Sequence, residues 1–247
     1  MPRSEILSPE GLRSDGRRYN EIRQFKARMS LPTCSSFDGS ALCAMGLTTV
    51  LCTVSGPHEP DANKRAQMKA DAAYLHVDYT VLPFAGQDRK KAGRTDKRMQ
   101  EICLALQQTF SQAAILKLYP RTQIDVRLQI VQQDGGALAC AINAATLALI
   151  DAGIPLYHFI AACSLGAGTA QALLDVTALE ESDIPWLTLA TEGHSGKISF
   201  LQCETRLGLD AFDACLEYGV LGSQAVRGLL EGVCREAGKE YKAKLER

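Results

Sequence analysis

The stretch from Gln123 to Gly153, QIDVRLQIVQQDGGALACAINAATLALIDAG, sets a strand, a glycine turn and a helix in immediate succession. Ile124, Val126, Leu128 and Ile130 alternate with polar residues, which is the period of a strand, here expected over 123–132. Asp134-Gly135-Gly136 then breaks the pattern, and an Ala-rich helix is expected over 138–151. A turn of this kind offers free backbone N–H groups and the positive end of a helix dipole to an anion. An oxyanion site ordinarily adds a hydroxyl and a guanidinium fork. The two residues after Gly136 are instead Ala137 and Leu138. The segment reads either as a phosphate site stripped of its side-chain ligands or as a plain Gly-Gly turn.

Working outward from this stretch, Ile22 to Met29 reads as a first strand, Ser40 to Val54 as a hairpin turning near Gly46, and Tyr74 to Val81 as a half-buried strand. A helix is expected from about Asp96, a candidate N-cap, to Leu118, with Met99, Ile102, Leu106, Phe110 and Ala113 at helical spacing. Short strands follow near 158–164, 171–176, 186–191 and 197–203, and a helical region from Leu209 to Leu245 closes the chain. The architecture is α+β, with antiparallel-rich sheets and helices packed on them.

A chain of 247 residues, 46% hydrophobic and 22% charged, has the composition of a globular protein with a substantial core. No apolar run approaches the roughly 20 residues of a membrane span, and the N-terminal residues lack a signal-peptide core, so an intracellular protein without a membrane partner is expected. Nine cysteines form no CxxC pair. They read as buried thiols in a reducing compartment, several of them (Cys43, Cys52, Cys103, Cys140, Cys163) within apolar runs. No metal site is expected, and His58, His76, His158 and His194 form no ligand-spaced pair.

Net charge is only -1, but basic residues cluster. DRKKAGRTDKR at 88–98 is the densest run, with smaller groups at Arg13, Arg17, Arg18 and at Lys64, Arg65, Lys69. Such patches either hold a polyanion or form solvated, mobile loops. Lys97 and Arg98 open the expected helix, where cations oppose the dipole, and that placement favours a ligand over a stabilising role.

LSPEGLRSDGRRYNEIR at 7–23, PRTQIDVRLQIVQQDGG at 120–136, INAATLALIDAGIP at 142–155 and LLDVTALEE at 173–181 together resemble the RNase PH family, and within it the ring subunits of the eukaryotic RNA exosome. The resemblance covers nearly the whole chain. It implies a ribosomal-protein-S5-domain-2-like fold, with residues 1–247 forming a single RNase PH-like domain: a leader to 19, a phosphate-site half over 20–152, and a second half over 153–247. It further implies a hetero-oligomeric ring of RNase PH-like subunits, RNA-binding cap subunits, an associated hydrolytic exoribonuclease, single-stranded RNA in a central channel, and residence in nucleus, nucleolus and cytoplasm.

Active members of the family attack the 3′ end of RNA with inorganic phosphate and release nucleoside diphosphates. Their Gly-Ser/Thr-Arg phosphate triplet falls on Gly136, Ala137 and Leu138, beside Gly135, so both side-chain ligands are missing. The other phosphate-side arginine falls on Arg98. The paired acidic positions fall on Asp175 and on Glu181, a carboxylate one methylene longer. Removing one preorganised donor from an oxyanion site costs about 10²–10³ in rate. The implied protein is a non-catalytic ring subunit with no cofactor, a vestigial phosphate site, and Lys97, Arg98, Lys64 and Arg65 as candidate RNA contacts. The alternatives are an active phosphorolytic nuclease whose site a neighbouring subunit completes, and a protein-interaction module without an RNA role.

Overall fold

The computed structural model describes residues 8, 11–60, 70–86, 89, 96–168, 171–193 and 195–245. Strands β1 (Phe25–Met29), β2 (Gly39–Met45), β3 (Thr48–His58), β4 (Tyr74–Val81) and β5 (Gln123–Gln132) form one sheet in the order β1-β2-β3-β5-β4. All its pairings are antiparallel except β4–β5, which run parallel because helix α1 (Lys97–Ala113) carries the chain across between them. Strands β6 (Ile160–Ala167), β7 (Ala172–Leu174), β8 (Trp186–Glu192) and β9 (Lys197–Cys203) form a second, antiparallel sheet in the order β7-β6-β8-β9.

Helix α2 (Ala137–Asp151) packs against β2 and β3 of the first sheet and β6 of the second, and thirteen of its residues are buried. Apolar side chains on every side are what such a position demands. Two polar residues of α2 have a specific task. β7 pairs only with Leu165–Ala167, which leaves the earlier part of that edge of β6 without a strand among the described residues. Asn143 supplies the missing partner: its side chain donates to the Ala162 carbonyl at 2.9 Å and accepts from the Ala162 N–H at 2.8 Å. Thr146 donates to the Ile160 carbonyl at 2.9 Å. Buried backbone groups are thus paired without a strand.

The short helix α3 (Ala178–Asp183) follows β7, and the long helix α4 (Leu209–Leu245) lies on the second sheet and reaches β1. The expected spans of β4, β5, β9 and α4 are those observed. Two expectations are corrected and one element is new. The first strand starts at Phe25 rather than Ile22, because the residues before it are drawn into the site described below. Helix α1 ends at Ala113 rather than Leu118: Ala114 turns extended to bridge Leu156, Ile115 N–H donates to the Pro155 carbonyl, and only a 3-10 turn follows at Leu116–Leu118. α3 was not expected as a helix. Asp96 caps α1 as expected, its side chain accepting from the Arg98 N–H at 3.1 Å.

All nine cysteines are free thiols. Cys43, Cys52, Cys140, Cys163 and Cys215 are buried, and burial pushes the Cys163 thiol up to about 12, whereas Cys34, Cys103 and Cys234 are half-buried and Cys203 is exposed, which corrects the expectation of buried thiols throughout. Among the described residues no helix is long and apolar enough to cross a membrane.

Candidate functional site

Four segments meet at the N-terminus of α2: the residues leading into β1, the β5–α2 turn, the middle of β6, and the β7–α3 connection. The turn itself is pinned by Thr48, whose hydroxyl donates to the Gly135 carbonyl at 2.7 Å and accepts from the Asp134 N–H at 3.0 Å. Gly135 and Gly136 both adopt positive φ, 76° and 61°. Their need for glycine is doubly determined, because a Cβ on Gly135 would stand 2.5–2.7 Å from backbone atoms of Val176, Thr177 and Ala178. The sequence reading tied these glycines to phosphate. In this structure they permit the turn to lie directly against the β7–α3 connection.

Asp175 is wholly buried. Its Oδ1 accepts from Arg23 Nη2 at 2.7 Å, and its Oδ2 accepts from Arg23 Nε at 3.0 Å and the Arg23 backbone N–H at 2.8 Å. Arg17 Nη1 stands 3.7 Å from the same Oδ2. Arg23 also donates to the Asp134 and Gly135 carbonyls, so its planar fork joins the turn to the β7–α3 connection. Burial alone would lower the affinity of this guanidinium for its proton; the hydrogen bond and charge of Asp175 outweigh that and hold its pKa above the ordinary value. Asp175 takes a left-handed backbone conformation, φ 56°, which aspartate tolerates better than most side chains.

The leader that feeds Arg23 is fastened in the same way. Arg13 is buried; its Nε donates to Glu180 Oε1 at 2.7 Å and its Nη1 to the Leu174 carbonyl at 2.6 Å. Although burial raises the pKa of Glu180, the hydrogen bond from Arg13 brings it below the ordinary carboxylate value. This corrects the view of Arg13, Arg17 and Arg18 as one candidate polyanion patch. Arg13 is spent on Glu180, Arg17 bonds Asp15 and the Asp175 carbonyl, and Arg18 alone stands exposed.

Glu181 points to the other side. Its Oε1 accepts from the Gly136 N–H at 2.7 Å, placing a carboxylate at the head of α2. Burial raises its pKa above the ordinary carboxylate value, against the hydrogen bond from Gly136 and the charges of Arg23 and Arg98. Ala137 and Leu138, where the family resemblance led phosphate ligands to be expected, are buried in the main apolar cluster. Arg98 is exposed at the start of α1 and donates from Nη2 to Glu204 Oε2 at 2.6 Å, while Gln202 Nε2 donates to Glu204 Oε1 at 2.7 Å. Lys97 stands exposed beside Arg98. Lys64 and Arg65 lie outside the described residues. The structure therefore brings together Gly135, Gly136, Ala137, Leu138, Asp175 and Glu181, and adds Arg23, Ser164, Glu180 and Glu204, which the sequence reading did not single out.

Two sheets about a buried helix, with a glycine turn at its head facing an aspartate from the β7–α3 connection, define the class. Residues 21–155 match the RNase PH family, described as 3' exoribonuclease family, domain 1, and the chain belongs to it. Two proteins carry the likeness further. The exosome complex component ski6 of Schizosaccharomyces pombe is 41% identical over 99% of this chain and all of its own length, and the human exosome complex component RRP41 is 40% identical over 96% of each chain. Among solved structures, rice Rrp46 superposes with a TM-score of 0.77 at 27% identity, covering 89% of this chain and 98% of its own. A chain of an Archaeoglobus fulgidus exosome with RNA bound to the active site superposes at 0.72 with 20% identity over 89% of this chain and 92% of its own, which extends the likeness of fold.

Proposed function

We propose that this chain is a non-catalytic ring subunit of the RNA exosome, a single RNase PH-like unit that scaffolds a ring of related subunits and guides single-stranded RNA toward an associated hydrolytic exoribonuclease. In that role it serves ribosomal RNA maturation, mRNA turnover and RNA surveillance in the nucleus, nucleolus and cytoplasm, beneath RNA-binding cap subunits. Identity of 41% and 40% over almost the entire length to proteins named as exosome components supports the assembly.

The observation that carries the inert reading is the 2.7 Å hydrogen bond from Gly136 N–H to Glu181. Phosphorolysis needs positive charge around an attacking phosphate dianion. Here the helix head faces a carboxylate, Ala137 and Leu138 offer neither hydroxyl nor charge, and Arg23 has its donors engaged by Asp175 and two carbonyls. Asp175 in turn is wholly buried, with both carboxyl oxygens accepting hydrogen bonds from Arg23. Of the candidate RNA contacts Lys97, Arg98, Lys64 and Arg65, Lys97 and Arg98 lie among the described residues, exposed at the head of α1, where they would meet RNA phosphates with little base preference.

The test is phosphate-dependent release of nucleoside diphosphates from short single-stranded RNA by this chain assembled with its ring partners. No product, together with RNA binding that weakens when Lys97 and Arg98 are reversed in charge, is the expected result. Phosphate-dependent product from the unmodified assembly sinks the reading and shows that a neighbour completes the site.

A further inference from the structure

We propose that the Glu181 carboxylate is a built-in anion: it holds the place at the head of α2 that inorganic phosphate would take, so the site is closed by an occupant as well as by lost ligands. This rests on the non-catalytic reading above and deepens it.

Three observations converge on the head of α2. First, Gly136 directs its N–H at Glu181 Oε1, 2.7 Å away, from the end of a helix whose dipole favours negative charge there. Second, the Ser164 hydroxyl is wholly buried, lacks a hydrogen-bond partner among the described residues, and lies 2.8 Å from where a Cβ on Gly136 would stand. Buried hydroxyls are nearly always paired, so an unpaired one at this place marks a polar cradle. Arg23 Nη2 lies 3.0 Å from the same point. Third, among the described residues Glu181 has no guanidinium of its own. Its neighbour Glu180 takes Arg13, and Asp175 takes Arg23.

Among the described residues, the charged and titratable groups that face Glu181 include Arg23 before β1, Asp134 in the β5–α2 turn, Arg98 on α1 and Tyr79 on β4. None of these four hydrogen-bonds its carboxylate, and the bond from Gly136 is the one that fixes it. A carboxylate tethered by α3 meets the helix head at an effective concentration on the order of millimolar. Free phosphate must displace it.

The experiment titrates the full chain with inorganic phosphate at constant ionic strength and follows the Gly136 amide by NMR, beside the melting temperature. In the unmodified protein the Gly136 amide should stay unmoved at millimolar phosphate. In Glu181→Ala the amide should shift and phosphate should raise the melting temperature, with an apparent affinity at least about tenfold tighter, equal to about 1.4 kcal/mol. Glu181→Gln, which keeps a neutral acceptor on Gly136 and so preserves the fold, should fall between them. Equal responses in all three proteins, or no response in the folded variants, overturn the occupancy. Nucleoside diphosphate release by the unmodified assembly is a separate readout that would overturn the non-catalytic reading instead.

Discussion

Arg23 and Arg98 each reach a carboxylate through a guanidinium nitrogen, Arg23 to Asp175 at 2.7 Å and Arg98 to Glu204 at 2.6 Å, yet their surroundings are opposite. The Arg23 side chain is 6% exposed and that of Asp175 is fully buried, whereas Arg98 is 59% exposed and Glu204 34%. In the first pair neither charge has water to fall back on, so each depends on the other. In the second, water or an incoming phosphate can replace either partner at little cost. The same ion pair is therefore a structural bolt in one place and an exchangeable contact in the other. Family resemblance puts chemistry at both Asp175 and Arg98. Burial decides that only Arg98 is free to exchange its partner.

The largest expected effect tests the bolt. Arg23→Ala leaves the Asp175 carboxylate buried without its fork and frees the turn at Asp134 and Gly135; the loss should be about 3–5 kcal/mol in urea denaturation. Arg23→Lys should recover only part of it, because one ammonium cannot make the parallel bonds to both carboxylate oxygens. A loss below about 1 kcal/mol would place Arg23–Asp175 in the same class as Arg98–Glu204 and erase the contrast.

Next in size is the effect of reversing Lys97 and Arg98 to glutamate in the assembled ring. Single-stranded RNA binding should weaken about tenfold or more, and the slope of log affinity against log salt should fall by about 0.7 for each phosphate that is no longer neutralised. Stability of the chain should barely change. If RNA binding and its salt slope are untouched, the head of α1 is off the RNA path.

The two regions were unequally legible in the sequence. The strand–turn–helix at 123–151 could be read because alternation, a glycine break and an apolar helix are all local signals, and so could β9 and α4. The absence of a hydroxyl and an arginine at Ala137 and Leu138 needed no structure to see. What replaces them did: Glu181 lies 45 positions from Gly136, and Arg23 lies 152 from Asp175, so no periodicity links them. Arg13 and Arg17 looked like surface charge because a basic cluster carries no mark of the buried carboxylates it will meet. Arg23 closes a run that carried the family resemblance, and its position there was the one available signal. The early end of α1 has the same origin, since the bridge from Ala114 to Leu156 overrides helical propensity across a distance the local pattern does not report.

A smaller effect separates the two adjacent acids of α3 by pH. Burial holds the Glu181 pKa above the ordinary carboxylate value, so the folded state binds that proton more tightly than the unfolded chain. Its contribution to stability is complete below the unfolded pKa and is lost as pH rises through the raised folded value. Glu180, held low chiefly by Arg13 against its own burial, behaves oppositely: its contribution is present above the unfolded pKa and is lost as pH falls through the lowered folded value. Urea midpoints measured across the acidic range should show Glu181→Gln removing a decline with rising pH. Glu180→Gln should instead remove a decline with falling pH. Parallel profiles for the two variants would mean that the two carboxylates share one environment.

The smallest expected effect concerns Glu204, which Gln202 steadies and which competes with RNA for Arg98. Glu204→Gln should change stability by no more than about 1 kcal/mol, as exposed pairs do. On the proposed RNA path it should also tighten RNA binding two- to threefold, roughly 0.5 kcal/mol, at low salt and less as salt rises. The gain should vanish when Arg98 is already alanine, because the competition acts through that one guanidinium. A Glu204→Gln gain that persists without Arg98 would mean that the carboxylate repels RNA directly. The exchangeable contact would then be an independent negative charge beside the path rather than one half of a pair.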